Sequence, residues 1–176
     1  MKACLKACLK TYCGLDPSLR GLTISKFTRN KLIDFLFIET KSSVDLLNRI
    51  IIQAKNVSNF IITNKIERLN IEIPYYNRTN AKVYNMQSRL YQQLIYELDN
   101  LNVKYAEYEP RTIKKNLSSG SMDKKDISYY FQQNMLIYKG LNSGKLNQLE
   151  IEGLLDSIAI GIMGENLNEF KRNQKK

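Results

Sequence analysis

The sequence predicts a mixed α/β sheet, and three observations carry that reading. Close to the N-terminus, three apolar runs rich in aromatic and branched residues follow one another across short polar turns. Two more runs of this kind come later, each preceded by a long segment with helical periodicity. Helices therefore alternate with strands only after the third strand, so an antiparallel meander should lead into parallel strands joined by helices.

Taken in order, the chain opens on Met1, two copies of Lys-Ala-Cys-Leu and a further lysine. This reads as a variable extension over residues 1–10; a transit peptide is the alternative, but the run is short and almost abuts the first strand. That strand ends on Gly14-Leu15-Asp16, and Pro17 to Gly21 reverses the chain. Leu22 to Phe27 forms the second strand and Leu32 to Thr40 the third, with Ile33, Phe35, Phe37 and Glu39 alternating against Leu32, Asp34, Leu36 and Ile38. Ser42 or Ser43 then caps a helix whose Leu47, Ile50, Ile51, Ala54, Val57 and Ile61 should lie on the sheet. Leu69 to Ile73 is a strand carrying Glu72 near its end, and Pro74, with no N–H to donate, stops the ladder.

Asn80 starts a second long helix, striped by Tyr91, Leu94, Ile95 and Leu98. Val103 to Tyr108 is the fifth strand, and Pro110 suits the first turn of a short helix. A Ser/Gly-rich loop at residues 117–121 opens a helix with Ile127, Tyr130, Phe131 and Leu136 as its core positions, and a loop through Gly140 and Gly144 follows. Asn147 and Glu150 fit a capping box for the last helix, which buries Leu154, Leu155, Ile158, Ala159 and Ile162. From Glu165 the chain reads as a polar, basic, frayed tail. One domain over residues 11–164 is thus bracketed by an extension and a tail (165–176).

The formal charge of +10 and pI near 9.5 point to a polyanionic partner. An AT-rich genome, which enriches Lys, Asn and Ile, is the plainer source of such a balance, but here the charge is clustered. No acid interrupts Ile73 to Tyr96, which holds Arg78, Lys82 and Arg89, or Pro110 to Met122, which holds Arg111, Lys114 and Lys115. The chain has no histidine, which removes Ser and Cys triads, His-dependent nucleases and most zinc sites. Cys4, Cys8 and Cys13 lack CxxC spacing and read as reduced thiols of an intracellular, cytoplasmic protein, with an organelle as the alternative. No apolar run approaches the length of a membrane span, so no membrane partner is expected.

Three acids stand where chemistry could use them: Asp16 after the first strand, Glu72 at the end of a central strand, and Asp156 within Leu154-Leu155-Asp156-Ser157-Ile158. A carboxylate in that last, apolar setting is costly to bury unless something pairs with it. Glu152 lies four residues earlier on the same helical face. Carboxylates gathered from strand ends and a helix, with no histidine, suit a hard divalent cation such as Mg²⁺. Two such ions about 4 Å apart can activate water and stabilise a leaving oxygen. Each acid taken alone is equally well explained as a turn former, a cap or a salt-bridge partner.

Four segments in this order resemble the RuvC-type Holliday-junction resolvases of the ribonuclease H-like superfamily. They are Gly14-Leu15-Asp16-Pro17-Ser18-Leu19-Arg20, Asn70-Ile71-Glu72-Ile73-Pro74-Tyr75-Tyr76, Gly120-Ser121-Met122-Asp123-Lys124-Lys125 and Leu155-Asp156-Ser157-Ile158-Ala159-Ile160. The resemblance spans Thr11 to Met163, and its specificity lies in combination and spacing. It implies a ribonuclease H-like mixed five-stranded sheet, its first three strands antiparallel, flanked by helices. It implies a homodimeric endonuclease that cuts four-way and other branched DNA, with the helix from Asn80 to Leu98 as the dimer element. Asp16, Glu72 and Asp156 would hold two Mg²⁺ ions per site, with Mn²⁺ as a substitute. Lys124, or Lys125 beside it, would serve the scissile phosphate; a solvated helix start is the alternative for both. Tyr75 and Tyr76 would stack on opened bases, or one of them would pack on the second helix. Arg78, Lys82, Arg89, Arg111, Lys114 and Lys115 would contact phosphates.

The chain departs from the family in one place that matters. The bacterial enzymes carry a fourth carboxylate three residues before the last one, and Gly153 stands there; Glu152, one residue earlier and longer, would have to reach round. The divergence, with the N-terminal repeat, resembles a phage, viral or organellar relative. Other readings are a flap or RNA–DNA hybrid nuclease of the same superfamily, and a junction-binding protein with a degraded metal site. A sugar-kinase-like fold also begins with a strand and an Asp turn, but it needs Gly-rich phosphate loops that this chain lacks.

Overall fold

The computed structural model describes residues 11–28, 31–76, 78–117 and 146–173. The expected extension, the helix at 127–136 and the loop through Gly140 and Gly144 lie outside them.

Strands β1 (Thr11–Asp16), β2 (Gly21–Thr28), β3 (Lys31–Glu39), β4 (Arg68–Glu72) and β5 (Lys104–Tyr108) form one five-stranded sheet in the order β3-β2-β1-β4-β5. β1 and β2 pair antiparallel, as do β2 and β3; β1–β4 and β4–β5 are parallel. Helix α1 (Leu46–Asn64) links β3 to β4, and α2 (Ala81–Asn100) links β4 to β5. After β5 come α3 (Pro110–Leu117) and the long helix here named α4 (Gln148–Asn173). The expected mixed sheet, with its antiparallel meander and parallel continuation, is the observed one.

Alternation along the strands divides the core in two. Cys13, Leu15, Leu22, Ile24, Leu69 and Ile71 face the helices α1 and α2, meeting Ile50, Ala54, Val57, Leu90, Leu94 and Leu98. Tyr12, Phe27 and Tyr108 face α4, meeting Leu154, Leu155, Ile158 and Ile162. A bulge disturbs the alternation in β3. Lys26 pairs with Asp34 and Phe27 with Leu32, so Ile33 has no counterpart and is exposed. The extra residue turns Leu32 onto the α4 face beside Phe35, rather than leaving it with Leu36 and Ile38.

The helix ends show which capping signals prevailed. Asp45, not Ser42 or Ser43, caps α1, its carboxylate accepting the Asn48 N–H at 3.0 Å. Thr40 N–H donates to the Arg20 carbonyl and Val44 N–H to that of Lys41, so both serines are spent in the turn leaving β3. Leu47 and Ile51 are exposed, whereas Arg49, Gln53 and Phe60 are buried. At Asn147 the capping box is as expected: Glu150 N–H donates to Asn147 Oδ1 at 3.0 Å, and Asn147 N–H to Glu150 Oε2 at 2.7 Å. The helix then runs to Asn173, past the point where a frayed tail was expected.

Helix α4 crosses the sheet in close contact. A Cβ on Gly14 would fall inside the Ser157 carbonyl oxygen and the Gly161 backbone nitrogen, and 2.7 Å from Gly161 Cα. Asn70 Nδ2 donates to the Gly161 carbonyl at 3.1 Å, and Tyr108 Oη to that of Gly164 at 2.9 Å. These contacts fix the helix that carries Asp156 against the strands that carry Asp16 and Glu72.

Candidate active site

Asp16 and Glu72 are the last residues of two adjacent parallel strands. The register pairs Gly14 with Asn70 and Leu15 with Ile71, so one step further places Asp16 beside Glu72. Neighbouring strands lie about 4.8 Å apart. Both carboxylates share the face of Gly14 and Asn70, which is the face crossed by α4, and both are half-buried. Local sequence explains the position. Pro17 and Pro74 lie just past the two strands and end their ladders.

On α4, residues Gly153, Gly161 and Gly164 meet the sheet, over Thr23 and Phe37, over Gly14 and Phe27, and over Asn70. At 100° per residue, Asp156 and Glu152 lie on the edge of this stripe opposite Gly161. Gly161 sits at the level of Phe27, toward the start of β1, whereas Gly153 sits at Thr23, which pairs with Asp16. That opposite edge is therefore the one toward the strand C-termini. Both acids are half-buried, and Gln148 Nε2 donates to Glu152 Oε1 at 2.9 Å.

Two residues expected to meet DNA come together from separate elements. Arg111 of α3 donates to Tyr75 Oη at 2.7 Å, with its guanidinium carbon 5.2 Å from the ring centroid. Tyr76 meets Tyr84 of α2 edge-on at 5.2 Å, so it is the one of the two tyrosines that packs on the second helix. Lys82, Lys114 and Lys115 are exposed near these groups, on the first turn of α2 and on α3. Arg78 begins a 3₁₀ turn before α2. Arg89 lies apart, lining an open groove with Asp45, Leu47 and Tyr96 between α1 and α2, on the other face of the sheet. Lys124 and Lys125 lie outside the described residues.

No protein-family model matches the chain, and no curated protein does. Solved structures do. Thermus thermophilus RuvC superposes with a TM-score of 0.68 at 16% identity, over 88% of this chain and 92% of that one. T. thermophilus RuvC in complex with Holliday junction substrate gives 0.67 at 15%, over 87% and 90%. The yeast mitochondrial Holliday junction resolvase Ydc2 gives 0.61 at 11%, over 85% and 75%. This chain has the RuvC fold.

Within the RuvC fold, the acidic edge has the donor chemistry of a hard-cation site: carboxylate oxygens only, two of them on neighbouring strand ends. Among the described residues, no three Asp, Glu, Cys or His side chains are drawn together closely enough to hold a metal ion as they stand. The backbone placement and the donor set fit such an ion; the side chains are not converged on one. Cys13 offers no competing chemistry. It is fully buried, and burial pushes its thiol up, which disfavours the nucleophilic thiolate. Among the described residues, no helix is long and apolar enough to cross a membrane.

Sequence reading missed the groups that hold the turn after Asp16. The Leu19 carbonyl accepts from Arg49 Nη2 at 2.8 Å, from Gln53 Nε2 at 3.1 Å and from Thr40 Oγ1. Gln53 Nε2 also reaches the Ser18 carbonyl at 3.0 Å, and Arg49 Nε donates to Thr40 Oγ1 at 3.1 Å. Buried carbonyls need donors, and α1 supplies them by turning Arg49 and Gln53 inward where Leu47 and Ile51 were expected. The available signal was two polar residues interrupting an apolar helix, at 49 and 53. Arg49→Met should cost about 1–3 kcal/mol, since it strips charged donors from a buried acceptor; urea unfolding measures it.

Proposed function

We propose that this chain is a divalent-metal-dependent endonuclease that cuts branched DNA, four-way junctions above all. The observation that supports it is the placement of Asp16 beside Glu72 at one edge of a RuvC-fold sheet, under the helix that carries Asp156 and Glu152. A cation held by Asp16, Glu72 and Asp156, with Glu152 as the further candidate, would supply an activated water and stabilise the leaving oxygen of a phosphodiester. The protein's own part is to present these oxygens from rigid strand ends, with the Arg49–Gln53–Thr40 clamp fixing the turn behind Asp16. Lys124 or Lys125 would neutralise charge at the scissile phosphate. Arg78, Lys82, Lys114 and Lys115 would neutralise backbone phosphates, whereas Arg89, on the other face of the sheet, would contact DNA only away from this surface. Tyr75, held by Arg111, presents a flat exposed ring to an unstacked base.

Homodimerisation belongs to this reading, because paired cuts need two sites; α2, with Val83 and Tyr96 exposed, is the proposed contact. The similarity to a junction-bound RuvC and to a mitochondrial junction resolvase supports the substrate class. A second reading, a junction-binding protein that cuts poorly, is favoured by the unconverged carboxylates.

A substrate panel separates these readings. A four-way junction, a flap, an RNA–DNA hybrid and a linear duplex are offered with Mg²⁺, and then with Mn²⁺. The junction should be cut at least about tenfold faster than the others, a margin of roughly 1.4 kcal/mol. Faster cutting of the hybrid would contradict the assignment, and tight junction binding without cutting would establish the second reading.

A further inference from the structure

Thr23 is fully buried on β2, and its hydroxyl oxygen has no hydrogen-bond partner among the described residues. It pairs directly with Asp16 across the antiparallel ladder, so the two side chains share a face, with Cβ atoms about 5 Å apart. The hydroxyl points at α4: a Cβ on Gly153 would fall well inside contact with Thr23 Oγ1, and 3.5 Å from Thr23 Cβ. Glu152 precedes Gly153, and Asp156 is one turn on. The hydroxyl therefore occupies the space between Asp16 and the helix segment that carries the other acids, in the volume a side chain at 153 would take.

A hydroxyl buried without a partner is costly, and valine would fill the same volume without that cost. Unsatisfied buried groups in folded proteins are few and point to a water, an ion or a working role. We infer that Thr23 is a positioning residue of the carboxylate site, its hydroxyl held in reserve to hydrogen-bond the site's oxygens once a divalent cation draws them together. This rests on the metal-site reading above and gives Gly153 a reason of its own. The residue is small because Thr23 enters from the sheet. The chain thus places a neutral donor where a side chain from the helix would otherwise stand.

The test is a cation titration followed by thermal unfolding of the full chain, with Mn²⁺ and Mg²⁺ as probes, alongside junction cutting. Thr23→Val should leave the cation-free protein at least as stable as wild type. It should also raise the cation concentration for the half-maximal shift in Tm about tenfold, the usual scale for a lost partner of a metal ligand. Thr23→Ser should stay near wild type and Thr23→Ala should follow Val; that pair isolates the hydroxyl if Val does not fold. Unchanged cation dependence in Val, or equal behaviour of Ser and Ala, overturns the inference. Asp16→Asn in the same titration keeps the two claims apart. If it retains the full cation shift, the metal-site reading itself fails; if it loses the shift while Thr23→Val does not, only the role of Thr23 falls.

Discussion

Asp16→Asn and Glu72→Gln are each expected to lower junction cutting by about a thousandfold or more, while leaving junction affinity within a few-fold of wild type. Each change removes one negative oxygen from the acidic edge and keeps the shape of the side chain, so the loss falls on chemistry rather than on folding. A thousandfold corresponds to roughly 4 kcal/mol of transition-state stabilisation. Single-turnover cutting measured beside gel-shift binding separates the two effects. Glu152→Ala is the informative companion. If Glu152 supplies the oxygen missing at Gly153, its loss should approach that of Asp16; if Gln148 merely holds it on the helix surface, cutting should change little.

Gly14→Ala should be the most damaging Gly→Ala change among the described glycines. The added carbon would collide with the Ser157 carbonyl and with Gly161 N and Cα, all backbone atoms that no rotamer change can move. The helix must lift from β1, at a cost of about 3 kcal/mol or more out of a total stability of about 5–15 kcal/mol. Because Gly14 is two residues from Asp16 and Ser157 adjoins Asp156, any folded remainder should also cut poorly. Gly21→Ala is the control. Its Cβ would meet the Phe37 ring, a side chain that can turn, so denaturant unfolding should register a smaller loss.

Much of the fold was legible because local signals and global fold agree. Pro17 and Pro74 end the two strands at Asp16 and Glu72, and Asn147 with Glu150 announces α4 before its apolar face begins. What stayed hidden depended on partners distant in sequence. The inward turn of Arg49 and Gln53 follows from carbonyls at Ser18 and Leu19, which only the folded chain brings to α1. The bulge at Ile33 has no composition cue, and it reverses the side on which Leu32 packs. The cap falls on Asp45 rather than on Ser42 or Ser43, which lie in the turn that follows the Thr40–Arg20 backbone bond. Helix α4 runs on beyond Gly164 although the residues from Glu165 read as a polar, basic, frayed tail, and Gly164 lies inside the helix. That glycine is where the helix backbone approaches Asn70, and a Cβ there would lie 2.6 Å from the Asn70 side-chain carbon.

The acidic edge was readable as residues and spacing but not as a contact. Asp16 and Glu72 come to neighbouring strand ends through strand register, and register follows from the whole sheet. Thr23 carried no sequence signal, since a threonine in a strand is ordinary. Only its orphaned hydroxyl, facing Gly153, distinguishes it.

The most direct test of the central claim uses a supercoiled plasmid that extrudes a cruciform, incubated with the wild-type protein and a Mg²⁺ series. Paired incision across the junction within one binding event yields linear plasmid, whereas isolated nicks yield relaxed circles. Linear product should form, require the divalent cation and disappear with Asp16→Asn. Relaxed circles alone would contradict paired cutting, and product that persists without the cation or with Asp16→Asn would contradict the acidic edge as the catalytic site.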